Sequence, residues 1–139
     1  MMVIDASALI KIAITEQYSE EVSHLIYSRT RIGEPLLAPD IVLAEALNVL
    51  WVHRSLKKDI DDKQLEIAQN SVTEVFNKLE IFSTKTLSKD AMHIAKAEKL
   101  TFYDSLYLAL SVKKGAHILS FDKQLVHVAS KIGIKAITF

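Results

Sequence analysis

Each of the three glycines in this 139-residue chain stands between a helix-like stretch and a short apolar run. Gly33, Gly115 and Gly133 therefore occupy the position after a helix C-terminus, where glycine takes a left-handed backbone at little cost. The apolar runs that follow them are residues 35–39, 116–121 and 134–139, and the chain opens with another, MVID. These runs predict short buried strands, and residues 80–83 (EIFS) predict a further edge or connecting strand.

Helical patterns fill the gaps between the apolar runs. They predict helices over residues 17–31, from Asp40 to about 57, from Asp61 or Asp62 through Leu79, from Ser88 to Leu100, from Asp104 to Lys114 and from Asp122 to Ile132. Strands that alternate with helices imply a parallel α/β sheet. No repeat, low-complexity tract or linker divides the chain, so we expect one domain over residues 1–139.

Composition narrows the classes of function. Lys plus Arg total 17 and Asp plus Glu total 17, so the net charge of zero argues against a polybasic binder that depends on phosphate attraction alone. The absence of cysteine excludes disulfides and thiolate zinc sites, and no two histidines lie three or four residues apart as in a helical zinc pair. Without a signal-peptide pattern or an apolar stretch of about 18–20 residues, we expect a cytoplasmic protein with no membrane partner.

Carboxylates interrupt the apolar segments MMVIDASALI, DIVLAEALNVLWV and TFYDSLYLALSV. Asp5 ends the first predicted strand and Asp122 lies just past the strand in HILS, so both belong at the sheet edge where parallel sheets form their sites. Asp122 and Asp104 are also well placed to cap helix N-termini. Glu45 lies too far inside its helix to cap it, which leaves an exposed stripe, a buried ion pair with Arg or Lys, or a site residue.

Carboxylates brought together in one pocket repel one another, and a divalent cation removes that repulsion. Their oxygens are the ligands that Mg²⁺ and Mn²⁺ prefer. Such an ion can activate a water and stabilise a leaving oxygen, so the pocket suits phosphodiester hydrolysis better than redox or acyl chemistry. Ser7 and Ser120 lie two residues from Asp5 and Asp122, where a hydroxyl can orient a carboxylate or a water, or simply cap the local backbone. Lys11 could border the same pocket.

The segments VIDASALI, LAEALNVLW, YDSLYLALS and ILSFDKQL, in this order, resemble a PIN domain, most closely the VapC-type toxin ribonucleases of toxin–antitoxin pairs. The resemblance covers essentially the whole chain. It implies an α/β fold, a three-layer α/β/α sandwich with a short parallel sheet. It also implies one catalytic acidic pocket that binds Mg²⁺ or Mn²⁺ through Asp5, Glu45, Asp104 and Asp122. Asp5 and Asp104 would be the principal metal ligands, Asp122 would contribute further, and Glu45 would bind a second ion or act through water.

The same resemblance implies an endoribonuclease, and the choice of RNA over DNA comes from it alone. It further implies a homodimer that is the toxin half of a pair, with an antitoxin helix lying in an apolar groove. The apolar helix over residues 41–52 is a candidate for either interface. Two alternatives stay open: a non-catalytic PIN-fold module that holds RNA or protein, and an RNA-processing nuclease outside a toxin–antitoxin pair. All four acidic positions are filled, which disfavours the first.

Overall fold

The computed structural model describes all 139 residues, and it alternates strands with helices from end to end. The strands are β1 (Met2–Ile4), β2 (Leu36–Pro39), β3 (Glu80–Phe82), β4 (His117–Leu119) and β5 (Ala136–Ile137). The helices are α1 (Ala6–Ala13), α2 (Ser19–Arg31), α3 (Ile41–Val52), α4 (Asp62–Phe76), α5 (Thr84–Glu98), α6 (Phe102–Lys114) and α7 (Lys123–Lys131). A π-helical turn, His53–Lys57, continues α3. Every predicted strand is confirmed.

The five strands form one parallel sheet in the order β3-β2-β1-β4-β5. The chain runs outward from β1 to β3 and then crosses to β4 on the other side of β1. Ile4 lies opposite Leu119, and the Asp5 amide donates to the Leu119 carbonyl at 3.3 Å. The carboxyl ends of β1 and β4 are therefore level at the point where strand order reverses, which is where open α/β sheets bind their ligands.

Helix α6 is the most deeply buried helix, because all of its residues from Ser105 to Ser111 are inaccessible to solvent. It packs against β1, β2 and β4, and α5 packs along it. Helices α1, α3 and α4 form a separate group that packs together. The predicted three-layer α/β/α sandwich is thus confirmed. None of the helices combines the length and apolar character needed to cross a membrane.

The three glycines end their helices as predicted, with φ between +58° and +83°. Several helix starts were predicted wrongly. Helix α5 begins at Thr84 rather than after Ser88, because the Ser83 hydroxyl accepts from the Thr86 amide at 3.2 Å. Helix α2 begins at Ser19 rather than residue 17, and α4 ends at Phe76 rather than Leu79.

Asp40 and Asp104 do not cap the helices that they were expected to start. Asp40 occupies the N-cap position of α3, but its carboxylate accepts instead from the Thr84 amide at 3.1 Å and from the Thr84 hydroxyl. Asp104 lies inside the first turn of α6, because Thr101 is the cap and its hydroxyl accepts from the Asp104 amide at 3.1 Å. A threonine three residues before an acid is itself a helix-start signal, so the sequence does contain the pattern that makes Thr101 the cap.

Candidate active site

The switch point between β1 and β4 holds a buried carboxylate whose two oxygens are both fixed by donors. Asp5 is 4% exposed and caps α1. Its Oδ1 accepts from the Ser7 hydroxyl at 2.7 Å and from the Ala8 amide at 2.9 Å. Its Oδ2 accepts from the Ser120 hydroxyl at 2.5 Å. The side chain is thus held in one orientation by residues from both strand ends.

Ser7 and Ser120 each make a second hydrogen bond, and each serine joins the two strand ends through one of its two bonds. The Ser7 hydroxyl, which donates to Asp5, accepts from the Phe121 amide at 2.8 Å. The Ser120 hydroxyl accepts in the same way from the Asp122 amide at 3.0 Å. Each serine hydroxyl therefore links the Asp5 carboxylate to the β4–α7 turn. The interpretation of these serines as residues that orient a carboxylate agrees with this geometry.

Asp122 caps a helix and also lies near Asp5. It is the N-cap of α7, where its Oδ1 accepts from the Leu125 amide at 2.8 Å, and it lies on the exposed rim of the switch point. Burial raises the pKa of Asp5 to about 6, and the negative charge of Asp122 adds to that rise. The hydrogen bonds from Ser120, Ala8 and Ser7 act against it. Asp5 and Asp122 are thus electrostatically coupled, and burial is the larger effect.

Glu45 and Asp104 form a second coupled pair, presented by α3 and α6. Both side chains are half-buried. Burial raises the pKa of Glu45, against a lowering hydrogen bond from Tyr107, and the charge of Asp104 raises it further. The Tyr107 hydroxyl donates to Glu45 Oε2, and no ion pair involves Glu45. The ion-pair interpretation of Glu45 is therefore wrong.

Tyr107 lies within the electric field of both acidic pairs and is hydrogen-bonded to Glu45. It is 1% exposed, and burial together with the charges of Glu45, Asp5 and Asp104 raises its pKa far above the usual tyrosine value. The hydroxyl consequently stays protonated and remains a donor. Sequence analysis missed this residue because an aromatic in an apolar helix resembles core. The available signal was its spacing of three residues from Asp104, which places both on one face of α6.

The four predicted acids lie around one end of the sheet as two coupled pairs rather than as one tight cluster. No group of three or more His, Asp or Glu side chains is close enough to hold a metal ion by itself. Yet none of the four acids is paired with a cation, whereas Glu16, Glu34 and Asp62 elsewhere each bind Lys or Arg. The Asp104 carboxylate has only the Thr101 hydroxyl as partner, at 2.8 Å. The site therefore carries negative charge that nothing in the chain neutralises.

Lys11, predicted to border the pocket, lies beside Phe121. Its ammonium is 4.8 Å from the centroid of the Phe121 ring and 3.1 Å from a Glu16 carboxylate oxygen. It contacts none of the four acids within salt-bridge distance.

Comparison of the chain with known proteins identifies one family. The family model described as PIN domain matches residues 2–131. Ribonuclease VapC3 of Pyrobaculum aerophilum is 31% identical over 127 residues, which cover 89% of this chain and 91% of that protein.

Solved structures of similar fold include PAE2754 of Pyrobaculum aerophilum, with a TM-score of 0.70, 23% identity and coverage of 97% of this chain and 82% of that one. VapC20 of Mycobacterium tuberculosis, a toxin that cleaves the sarcin-ricin loop, has a TM-score of 0.69 and 15% identity, with 96% of each chain covered. FitAcB of Neisseria gonorrhoeae has a TM-score of 0.66 and 13% identity, covering 99% of this chain and 97% of that one. At these identities the solved structures establish the fold.

Proposed function

The chain belongs to the PIN domain family, in its VapC-type ribonuclease group, and from this premise we propose that it is a divalent-metal-dependent endoribonuclease and the toxin of a toxin–antitoxin pair. The observation that carries the proposal is the unneutralised negative charge at the switch point. Burial and neighbouring carboxylates raise the pKa values of Asp5 and Glu45, and no Lys, Arg or His offsets them. A divalent cation supplies the missing positive charge, and it can bind an RNA phosphate at the same time.

The donors present fit Mg²⁺ or Mn²⁺, because all of them are carboxylate oxygens. Mg²⁺ commonly takes only one or two carboxylates and completes its shell with water and substrate phosphate oxygens, so three carboxylates need not converge beforehand. We assign Asp5 and Asp104 as the principal ligands and Asp122 as a further one, while Glu45 binds a second ion or acts through water. When bound, the metal lowers the pKa of a water and neutralises charge on the phosphodiester.

The chain's own residues prepare the site in two ways. Ser7 and Ser120 hold both oxygens of Asp5, so the carboxylate needs little reorganisation when charge arrives. Tyr107 keeps its proton and holds Oε2 of Glu45, which leaves Oε1 free to accept from a water. A carboxylate with a raised pKa is better suited to take a proton from an attacking water than an ordinary one.

The proposed function is tested by incubating the purified chain with structured RNA in Mg²⁺, in Mn²⁺ and in EDTA. We expect cleavage with either metal and none in EDTA. Asp104→Asn should abolish cleavage while leaving the fold intact, since Asp104 is only half-buried. Asp90→Asn, at an exposed aspartate of α5, is the matched control and should cleave normally. Cleavage that survives EDTA would reject the carboxylate mechanism, and RNA binding without cleavage would favour the non-catalytic module.

We also propose that this single domain acts in the cytoplasm as a homodimer that pairs with an antitoxin. Two similar structures support a partner, because each is a complex. One is FitAcB, and the other is VapBC2 of Rickettsia felis, which is bound to a DNA fragment from its promoter. Large apolar side chains stay exposed along α3, the π-helical turn and α4, at Trp51, Leu56 and Ile67. Light scattering of the chain alone and after co-expression with a neighbouring small reading frame tests this proposal. A stable monomer that binds no such product would contradict it.

A further inference from the structure

Three aromatic rings meet beside the candidate active site. The ring centroids of Tyr18, Phe121 and Phe139 are separated by 5.9, 6.1 and 6.2 Å, and the ring planes lie within 23° of one another. In a column of three stacked rings the outer two would be roughly twice as far apart as neighbours. These nearly equal separations instead describe a patch of near-parallel, offset rings, which we call the aromatic platform.

The aromatic platform is attached directly to the residues that hold Asp5. Phe121 lies between Ser120 and Asp122, and its backbone amide donates to the Ser7 hydroxyl at 2.8 Å. The base of the Phe121 side chain is therefore one residue from two groups of the candidate site. This adjacency connects the aromatic platform to the carboxyl ends of β1 and β4.

The aromatic platform is not closed over by the fold. Phe139 is 46% exposed, and Tyr18 and Phe121 are half-buried. Tyr18 has a left-handed backbone with φ of +69°, an uncommon and costly conformation for a non-glycine residue. Three rings brought together at some backbone cost and then left partly exposed offer aromatic surface to a ligand.

We propose that the aromatic platform stacks one unpaired base of the RNA next to the phosphate that is cut, an inference that rests on the proposed function. Every base has a π-face, so aromatic side chains bind single-stranded RNA without needing a sequence. The groove on the α2 side of Phe139 is lined by Glu20 and Glu21, which repel a phosphate backbone. We therefore expect the strand to turn away from that groove and to place a single base on the aromatic platform.

Stacking rather than charge provides this contact. The Lys11 ammonium lies at the Phe121 ring but is already bound to Glu16 at 3.1 Å, so little of its charge remains for a phosphate. Phosphate contacts weaken steeply as salt rises, whereas stacking does not release counterions. The contribution of the aromatic platform should therefore be nearly independent of salt concentration.

The test compares the binding of two short labelled oligonucleotides by fluorescence anisotropy, in EDTA so that no cleavage occurs. One is a single-stranded adenosine octamer and the other is the same ribose-phosphate chain without bases. We expect the wild-type chain to bind the adenosine octamer about tenfold more tightly. Phe121→Leu and Phe139→Leu should reduce that ratio towards one at every salt concentration, and Phe121→Trp should restore it.

Tyr27→Leu is the matched control, since Tyr27 is an exposed aromatic of α2 outside the aromatic platform, and it should leave the ratio unchanged. Thermal melts establish that each variant is folded. A wild-type ratio near one, or an unchanged ratio in folded Phe121→Leu, would overturn the proposal that the aromatic platform stacks a base. If the wild-type chain still cleaves RNA in Mg²⁺, that result leaves the proposed function standing, whereas absence of both binding and cleavage rejects both.

Discussion

The two halves of the candidate site are built in different ways. The strand-end half, which consists of Asp5, Ser7, Ser120 and Asp122, buries a carboxylate and fixes both of its oxygens. The helix half, which consists of Glu45, Asp104 and Tyr107, leaves both acids half-buried and joins α3 to α6 through one hydrogen bond.

The difference separates two tasks that an acidic site must perform. Positions at strand ends are set by the sheet itself, because the β1–β4 register brings Asp5 level with the β4–α7 turn. Positions on helix faces depend on how two helices pack, so their side chains can adjust when a ligand arrives. We expect the strand-end half to fix geometry and the helix half to adjust protonation.

The largest effect should come from removing the charge of a principal ligand, which is Asp104 in the helix half and the fixed Asp5 in the strand-end half. Asp5→Asn should reduce single-turnover RNA cleavage by about 10³-fold, the upper end for one charge-stabilising group. Glu45→Gln should cost only about 10–100-fold, because in the helix half Asp104 is the principal ligand and Glu45 assists. Equal losses in the two variants would remove the distinction between the halves.

Burial of Asp5 should also make the metal-free protein less stable as pH rises. An acid whose pKa is about 6 when folded and 3.8 when unfolded binds its proton more tightly in the native state. The free energy of unfolding should therefore fall between about pH 4 and pH 6, by about 3 kcal/mol for this group alone. Urea titrations in EDTA should show this fall in the wild type and its absence in Asp5→Asn. An identical pH dependence in both proteins would mean that Asp5 does not carry the effect.

Removing one support of Asp5 should have a smaller effect than removing its charge. Ser120→Ala deletes the donor to Oδ2 and the acceptor for the Asp122 amide, so cleavage should fall by about 10–100-fold. A higher Mg²⁺ concentration should restore part of the rate. Ser130→Ala removes an exposed hydroxyl that bonds only its own helix, and it serves as the control. A rate unchanged in Ser120→Ala would show that Asp5 keeps its orientation without help.

The smallest effect should follow loss of the bond in the helix half. Tyr107→Phe keeps the ring and deletes only the hydroxyl that Glu45 accepts, so cleavage should fall less than about tenfold. The pH dependence of cleavage should shift as well, because Glu45 then loses the hydrogen bond that lowers its pKa. A loss greater than that of Ser120→Ala would reverse the order of the two halves.

The sequence predicted the strand-end half better than the helix half, for a physical reason. Glycines after helices and short apolar runs locate strands, and a residue that follows a strand has only one edge to occupy. Asp5 and Asp122 were therefore placed correctly from local pattern alone. The environment of Glu45 depends on Tyr107 and Asp104 of α6, which are about sixty residues away along the chain and which local pattern does not connect to it. Tyr107, which settles that environment, looked like any other core aromatic.

The wrong starts of α5 and α6 have a related cause. The sequence predicts Ser88 and Asp104 as the caps, but Ser83 and Thr101, five and three residues earlier, bind the first free amides of these helices instead. Several neighbouring Ser, Thr and Asp side chains can each cap the same helix, and the local sequence does not decide which of them does.

The cross-ties made by Ser7 and Ser120 join the first few residues of the chain to a turn more than a hundred positions later. During synthesis, Asp5 leaves the ribosome long before Ser120, which binds its carboxylate. The nascent chain therefore cannot fix the Asp5 carboxylate until the β4–α7 turn has left the ribosome. For a protein proposed to cut RNA, this order of assembly delays activity until the β4–α7 turn has been translated.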